Sequence, residues 1–313
     1  MLVGLALIML PTFLDRFTVF ILYILYLNIA LAQSWNLVGG YTGLISLGHA
    51  AFFGIGAYTT GILMIDLNWP FWSSIIAGGL MATLFAAIIS APTFRFSGVY
   101  FAIGTLILAE ALRIWMINWE FTGGAQGLKF PTAQIPGLTT FYYLMLGLAA
   151  GMTALIVLIL HSQLGLGLRA IRDNQRSAQN MGVNIFRTKL YAFLISAFVA
   201  GLVGSVHAVR LSVIEPYSIF GATWTISMIN IVIIGGIGTI LGPILGAIFV
   251  VFLGEALADF YTFHLIMTGL IFILVIRFMP AGIWGWVRQS KTVNRWASQL
   301  LARQSPLPHI EEA

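Results

Sequence analysis

Apolar runs at Phe17–Ala32, Phe71–Ala91, Val99–Ile117, Phe141–Leu160, Leu190–Val209 and Phe263–Ile276 alternate with short polar turns along the chain. Each approaches the ~20 apolar residues that one helical bilayer crossing needs. Leu2–Leu14 is shorter, stops at Asp15 and Arg16, and reads as a tilted or interfacial helix. It lacks the basic start and small-residue cleavage site of a signal peptide. After Arg210, Glu215 and Pro216 the chain re-enters near Gly221, turns around Gly235, Gly236, Gly238, Gly242 and Pro243, and continues to Ala258. Gly39–Leu63 is the remaining apolar run, dense in glycine. The pattern predicts an all-α integral membrane protein of about ten transmembrane helices (roughly 8–10), with one or two Gly-broken or re-entrant segments. Residues 1–280 form the transmembrane domain, interrupted by a polar island at 164–189, and residues 281–313 form a basic, aromatic tail.

Composition agrees with the pattern. Apolar residues make up 59% and charged residues 8% of the chain, against about 45–50% and 25% in soluble proteins. The net charge of +5 follows membrane topology and does not call for a nucleic-acid partner. The polar island Leu164–Lys189 carries Arg169, Arg172, Arg176, Arg187 and Lys189 against the single acid Asp173. Each cation costs roughly 2.5–3.5 kcal/mol at a helix centre, so this stretch lies outside the lipid. Because basic residues collect in short cytoplasmic loops, the island is assigned to the cytoplasm. Four crossings separate it from the tail, whose Arg277, Arg288, Lys291, Arg295 and Arg303 then share its side, as does Arg95. The C-terminus is accordingly cytoplasmic. Only Arg16, Arg113, Lys129 and Arg210 fall elsewhere.

Sites for chemistry are few. There is no GxxxxGK[ST] phosphate loop, no HExxH and no GxSxG, and no cysteine for a thiolate site, so an enzyme reading is weak. No second His, Asp or Glu stands at metal-ligand spacing from His49. Glu110 and Arg113 are three residues apart on one helical face and can pair; Glu255 and Asp259 read as solvated helix-end residues. Gly39–Leu63 has two readings: tight helix packing through its glycines, or a broken segment whose Gly43, Ser46, His49 and Gly54 line an aqueous path. The second glycine-rich turn adds Gly235 and Gly236 to that path. GxxxG pairs Gly147–Gly151 and Gly242–Gly246 are candidate contacts with another membrane subunit.

Within the polar island, Asp173 is the expected N-cap and Gly182 the left-handed stop of a helix over Asn174–Met181, with Asn184 capping the helix that follows. Ala178 and Met181 share one side of it, Arg176 and Gln179 another. Such a helix is either a docking element or an ordinary solvated loop.

Four ordered motifs now bear on that choice: GYTGLISLGHAAFFGIGAY at 40–58, LGLGLRAIRDNQRSAQNMGVN at 164–184, GGIGTILGPILGA at 235–247 and RFMPAGIWG at 277–285. Together they resemble LivM-type permease subunits of the branched-chain amino acid ABC transporter family, nearly end to end. Ala178 and Gly182 match the E-A-A-x-x-x-G loop of bacterial ABC importer permeases, whereas Arg176 and Ser177 depart from it. Pro280-Ala281-Gly282 stands where relatives often have Pro-Gln-Gly. The resemblance implies a permease in the bacterial inner membrane that carries leucine, isoleucine or valine. It implies a heterodimer with a second, homologous permease, two ABC ATPase subunits, and a periplasmic or extracellular binding protein. The short cytoplasmic helix, with Arg172, Asp173, Asn174, Arg176, Ala178, Met181 and Gly182, would couple the chain to ATP, and no cofactor is implied. Urea and amide importers use similar permeases, and an ion-coupled secondary transporter and a non-transporting scaffold are the alternatives from other classes.

Overall fold

The computed structural model describes residues 9–131, 135–257 and 264–289. Helix α1 (Arg16–Thr42) opens at Asp15, whose carboxylate accepts from the Phe17 and Thr18 amides at 3.1 and 3.4 Å and from the Thr18 hydroxyl at 2.6 Å. That hydroxyl holds the Asp15 carboxyl below its usual range. The helix runs past Ala32, where the apolar pattern stops, because Gln33, Ser34 and Asn36 are wholly buried against protein. Then come α2 (His49–Ile65), α3 (Phe71–Thr93), α4 (Val99–Asn118) and α5 (Leu138–Leu160). The polar island folds as α6 (Gln163–Asp173) and α7 (Gln175–Asn180). The chain returns through α8 (Ile185–Leu211), a one-turn α9 (Pro216–Ile219), α10 (Ala222–Gly235), α11 (Gly242–Ala256), α12 (His264–Phe278) and α13 (Gly282–Gln289). Two short strands, β1 (Leu128–Lys129) and β2 (Val213–Ile214), pair antiparallel and tie the α4–α5 loop to the end of α8.

Among the described residues six helices are long and apolar enough to cross a membrane, with Pro216–Gly235 taken as one. Three apolar helices are shorter: α2, α11 and the Ile266–Val275 part of α12. At 1.5 Å per residue α2 is roughly 25 Å long and α11 roughly 22 Å, just under the ~30 Å hydrocarbon core. Most of Leu2–Leu14, Asp259 and the tail from residue 290 onward lie outside the described residues.

Helices α2, α3 and α8 form the tightest part of the core, and glycine makes the approach possible. A Cβ on Gly56 would lie 2.1 Å from the Gly201 carbonyl oxygen, and one on Gly204 would lie 2.0 Å from that of Phe53. Ser205 fixes the same seam by donating to the carbonyls of Gly56 at 2.9 Å and Gly201 at 2.8 Å. Lipid tails are as apolar as leucine, so helices in a membrane associate through such close packing and hydrogen bonding rather than through hydrophobic burial. Of the two GxxxG pairs expected to face another subunit, Gly242–Gly246 is used within the chain. A Cβ on Gly246 would meet the Ile231 carbonyl at 2.0 Å, packing α11 on α10. Gly147 and Gly151, by contrast, have open space beside them.

The charges separate along the bundle. Arg210 lies over the Phe20 ring at 5.1 Å, Arg113 over Tyr217 at 5.4 Å, and Lys129 pairs in register with Val213, so these cations and Arg16 gather at one end. The opposite end holds the arginines of α6 and α7, with Arg95 beside Phe94, which meets Phe186 of α8 at 5.8 Å.

Replacing Gly204 with valine forces α2 and α8 apart and is expected to lower stability by about 1–3 kcal/mol, read as an earlier thermal unfolding transition in detergent. Gly147→Val, made where nothing lies within 4 Å, serves as the unaffected control.

Candidate coupling site and helix-break junction

The first helix break spans 43–48. Gly43 ends α1 in the left-handed conformation (φ 74°), a backbone geometry that favours glycine, and its N–H donates to Val38. Every following polar group needs a partner, since unpaired backbone is costly away from water. The Ser46 carbonyl accepts from the Trp35 indole at 2.8 Å, the Leu47 amide donates to Thr105 Oγ1 at 3.0 Å, and the Ala50 amide donates to Thr225 Oγ1 at 2.9 Å. Three separate helices therefore hold this break.

His49 and Ser46 are fully buried in it. Ser196 gives its hydroxyl proton to the Ser34 carbonyl at 2.7 Å, so its oxygen accepts from His49 Nε2 at 2.8 Å. The proton then sits on Nε2, and Nδ1 accepts from the Ser46 hydroxyl at 3.0 Å. Gly54 packs against the Phe220 ring. The polar atoms of these residues thus face one another within packed protein.

The second break, residues 236–241 between α10 and α11, rests on α1. Asn36 accepts from the Gly238 amide at 2.9 Å and donates Nδ2 to the Thr239 carbonyl at 2.9 Å, while Gln33 donates to the Ile240 carbonyl at 2.8 Å. Thr239 closes the turn by donating to the Gly236 carbonyl at 2.7 Å and accepting from the Gly242 amide at 3.0 Å. Gly282, in the Pro-Ala-Gly turn after α12, approaches Gly236 so closely that a Cβ would lie 2.5 Å from its Cα.

Arg172 joins the polar island to both breaks. Its Nη1 donates to the Gly40 carbonyl at 3.0 Å, its aliphatic stem passes Gly43, and its guanidinium lies against Gly238. The four motifs singled out in the sequence therefore meet at one junction: Gly40, Arg172, Gly236–Gly238 and Gly282. Distance along the chain conceals this convergence; a signal for it was available in the polar Gln33 and Asn36 that follow an apolar run.

Helix α7 departs from expectation at its start. Asn174 is the N-cap, its Oδ1 accepting from the Ser177 amide at 3.0 Å, and Asp173 is the last residue of α6. Asn174 has the extended backbone (φ −159°, ψ 109°) that a cap requires, whereas Asp173 is still helical. Gly182 does adopt the left-handed conformation (φ 86°), and Asn184 does cap α8 by accepting from Arg187 at 3.0 Å. Ala178 and Met181 do not form one apolar face: Ala178 is fully buried, while Met181 is 71% exposed. Met181 falls after the last helical residue, Asn180, so helical periodicity no longer places it. Arg176, Ser177, Gln179 and Asn180 are exposed beside it. Lys189, 4% exposed, ties α8 to the start of α7 by donating to Gln175 Oε1 at 2.7 Å. Elsewhere, Glu110 and Arg113 form the expected ion pair.

Long apolar helices alternating between two ends of a bundle, interrupted at glycine turns, define a multi-pass membrane protein. The chain belongs to the family described as the branched-chain amino acid transport system permease component, whose model matches residues 17–276. It is similar to the high-affinity branched-chain amino acid transport system permease protein LivM of Escherichia coli, at 30% identity over 92% of this chain and 75% of that one. It is also similar to the corresponding LivH protein of E. coli, at 25% identity over 82% of this chain and 90% of that one. The nucleoside ABC transporter permease protein NupC of Lactococcus lactis matches at 22% identity over 54% of this chain and 60% of that one. No solved structure matches the chain.

Replacing Asn36 with leucine keeps the branched shape but removes both bonds to the second turn, leaving a half-buried amide and carbonyl unpaired at about 1 kcal/mol each. The expected result is a protein that still inserts and purifies but unfolds earlier on heating, with faster hydrogen exchange at 236–241. Unchanged exchange there would contradict the role given to Asn36.

Proposed function

We propose that the chain is the transmembrane permease subunit of an ATP-driven importer of branched-chain amino acids in the bacterial inner membrane, coupled to separate ATPases through α7. The observation that carries this reading is the Arg172 bond to the Gly40 carbonyl beside Gly238. Through it, a displacement of the α6–α7 segment reaches both helix breaks without an intervening loop. The sequence has no GxxxxGK[ST] phosphate loop, and in this reading the energy comes from partner ATPases.

In this reading the arginine-rich end is cytoplasmic, by the bias of basic loops toward that side, which also places the C-terminus there. Two ABC ATPases dock against α7. Asn174 and Gly182 fix its two ends, Asp173 closes α6 before it, buried Ala178 seats it, and Arg176 and Met181 reach outward to the ATPase. Gly43, Ser46, His49, Gly54, Gly235 and Gly236 belong to the moving segments beside the path, whose rocking alternates access between the two sides. A second, LivH-like permease completes the membrane unit, with the open face of α5 at Gly147 and Gly151 as a candidate contact, and a binding protein delivers leucine, isoleucine or valine. The nucleoside permease likeness favours a second reading in which the same machinery carries a different solute.

Reconstitution with partner permease, ATPases and binding protein in liposomes tests the proposal. Leucine uptake is expected only with ATP and binding protein, and Met181→Asp is expected to cut it by roughly tenfold or more while insertion is unchanged, the loss of one buried contact at an interface centre. Uptake driven by an ion gradient without ATP, or Met181→Asp uptake equal to the parent, would overturn it.

A further inference from the structure

Two adjoining grooves open on the surface between α1, α10 and α11. One, of about 320 Å³, is lined by Ile24, Leu27, Asn28, Thr223, Trp224 and Ser227. The other, of about 300 Å³, shares Ile24, Asn28 and Ser227 with it and continues past Val250 and Val251 to Glu255. Asn28 lies eight residues before Asn36 on α1, which places it roughly 12 Å from the helix-break junction, toward the opposite end of the bundle.

The polar groups here are out of place for a surface that meets lipid. Thr223 and Ser227 are four apart on α10, and half-buried Asn230 follows three later, so the three share one helical face. That polar stripe starts in the groove and leads toward Gly235 and the turn held by Asn36. Ile226, three residues from Thr223, and Ile233, three from Asn230, border the stripe and are exposed and apolar. Among the described residues Glu255 is exposed and makes no ion pair. Polar side chains within spanning helices are costly in hydrocarbon and mark water-filled paths.

We infer that this groove, and not the interior of the glycine breaks, is the wall of the solute path, and that it takes a small solute bearing an ammonium group. Thr223 and Ser227 offer hydrogen bonds along the wall, as does the Asn28 amide beyond its bond to the Ile24 carbonyl, and Glu255 at its far end is the one carboxylate among the described lining residues. The assignment rests on the permease reading above. It places the wall on the same hairpin whose turn Arg172 touches, so the path changes shape when that turn moves.

The chain contains no cysteine, so single cysteines can be introduced at Thr223 and Ser227 without other changes. Thiols react as thiolates, which form in water and not in hydrocarbon. In the assembled transporter, externally added methanethiosulfonate ethylammonium is expected to modify Thr223→Cys and Ser227→Cys at least roughly tenfold faster than Ile107→Cys or Ile76→Cys, exposed apolar positions on other spans, because only the former pair faces water. Modification should block leucine uptake. Glu255→Gln is expected to lower leucine uptake by roughly tenfold, the cost of one charge-assisted hydrogen bond, with Glu255→Asp restoring most of it. Labelling no faster than at the two isoleucine positions, or labelling that leaves uptake intact, overturns the groove even where uptake needs ATP and binding protein and the permease reading stands. Unchanged uptake by Glu255→Gln overturns the ammonium assignment. Labelling that blocks an uptake independent of ATP supports the groove while the ATP-driven reading fails.

Discussion

Backbone freed from a helix inside a membrane protein must find partners within the protein, because lipid supplies none. This chain breaks its helices at 43–48 and 236–241, and much of its remaining architecture follows from satisfying those two breaks. Trp35, Thr105 and Thr225 are committed to the first, Gln33 and Asn36 to the second, and Arg172 to the carbonyl of Gly40 between them. Helix α1 extends beyond its apolar run because its last turns carry these side chains. Residues 277–285 follow the same logic: Gly282 fits where a side chain would not.

The same constraint shows how the short polar segment α6–α7 is tied to the helix breaks. Helix α7 is too short to be stable alone, since isolated helices under about 12 residues are marginal in water. It is held by Asn174 at one end, Gly182 at the other, buried Ala178 between them, and Lys189 beneath. Mounted this way it adjoins α6, whose Arg172 contacts Gly40 and Gly238 at the glycine turns. Around this junction the glycine-packed seam of α2, α3 and α8 supplies a body against which the rest can move.

Much of this was legible in the sequence. Apolar runs located the long helices, the basic island marked its own end of the bundle, and Glu110 with Arg113 announced an ion pair by spacing. Gly182 and Asn184 were readable because left-handed glycine and amide caps are local chemistry. What was not legible is what depends on three dimensions. Asn174, not Asp173, is the cap because a preceding helix, Gln163–Asp173, keeps Asp173 in helical conformation. Met181 left the face of Ala178 because α7 stops at Asn180. Gly39–Leu63 shows close glycine packing at Gly56 and a break at 43–48, with Ser46 and His49 bonded inside packed protein. Asn28, Thr223 and Ser227 gave little signal, since isolated amides and hydroxyls are common in membrane helices, and only their assembly on one groove sets them apart.

The central claim is that α7 and the 236–241 turn move as one piece through Arg172. Paired spin labels on this cysteine-free chain test it most directly, at exposed Gln179 and Leu241 and at Leu241 and Ile88 of α3. Through the ATP cycle of the reconstituted transporter, the Gln179–Leu241 distance should hold within about 2 Å while the Ile88–Leu241 distance changes by more than that. A Gln179–Leu241 distance that varies while Ile88–Leu241 stays fixed would contradict the account.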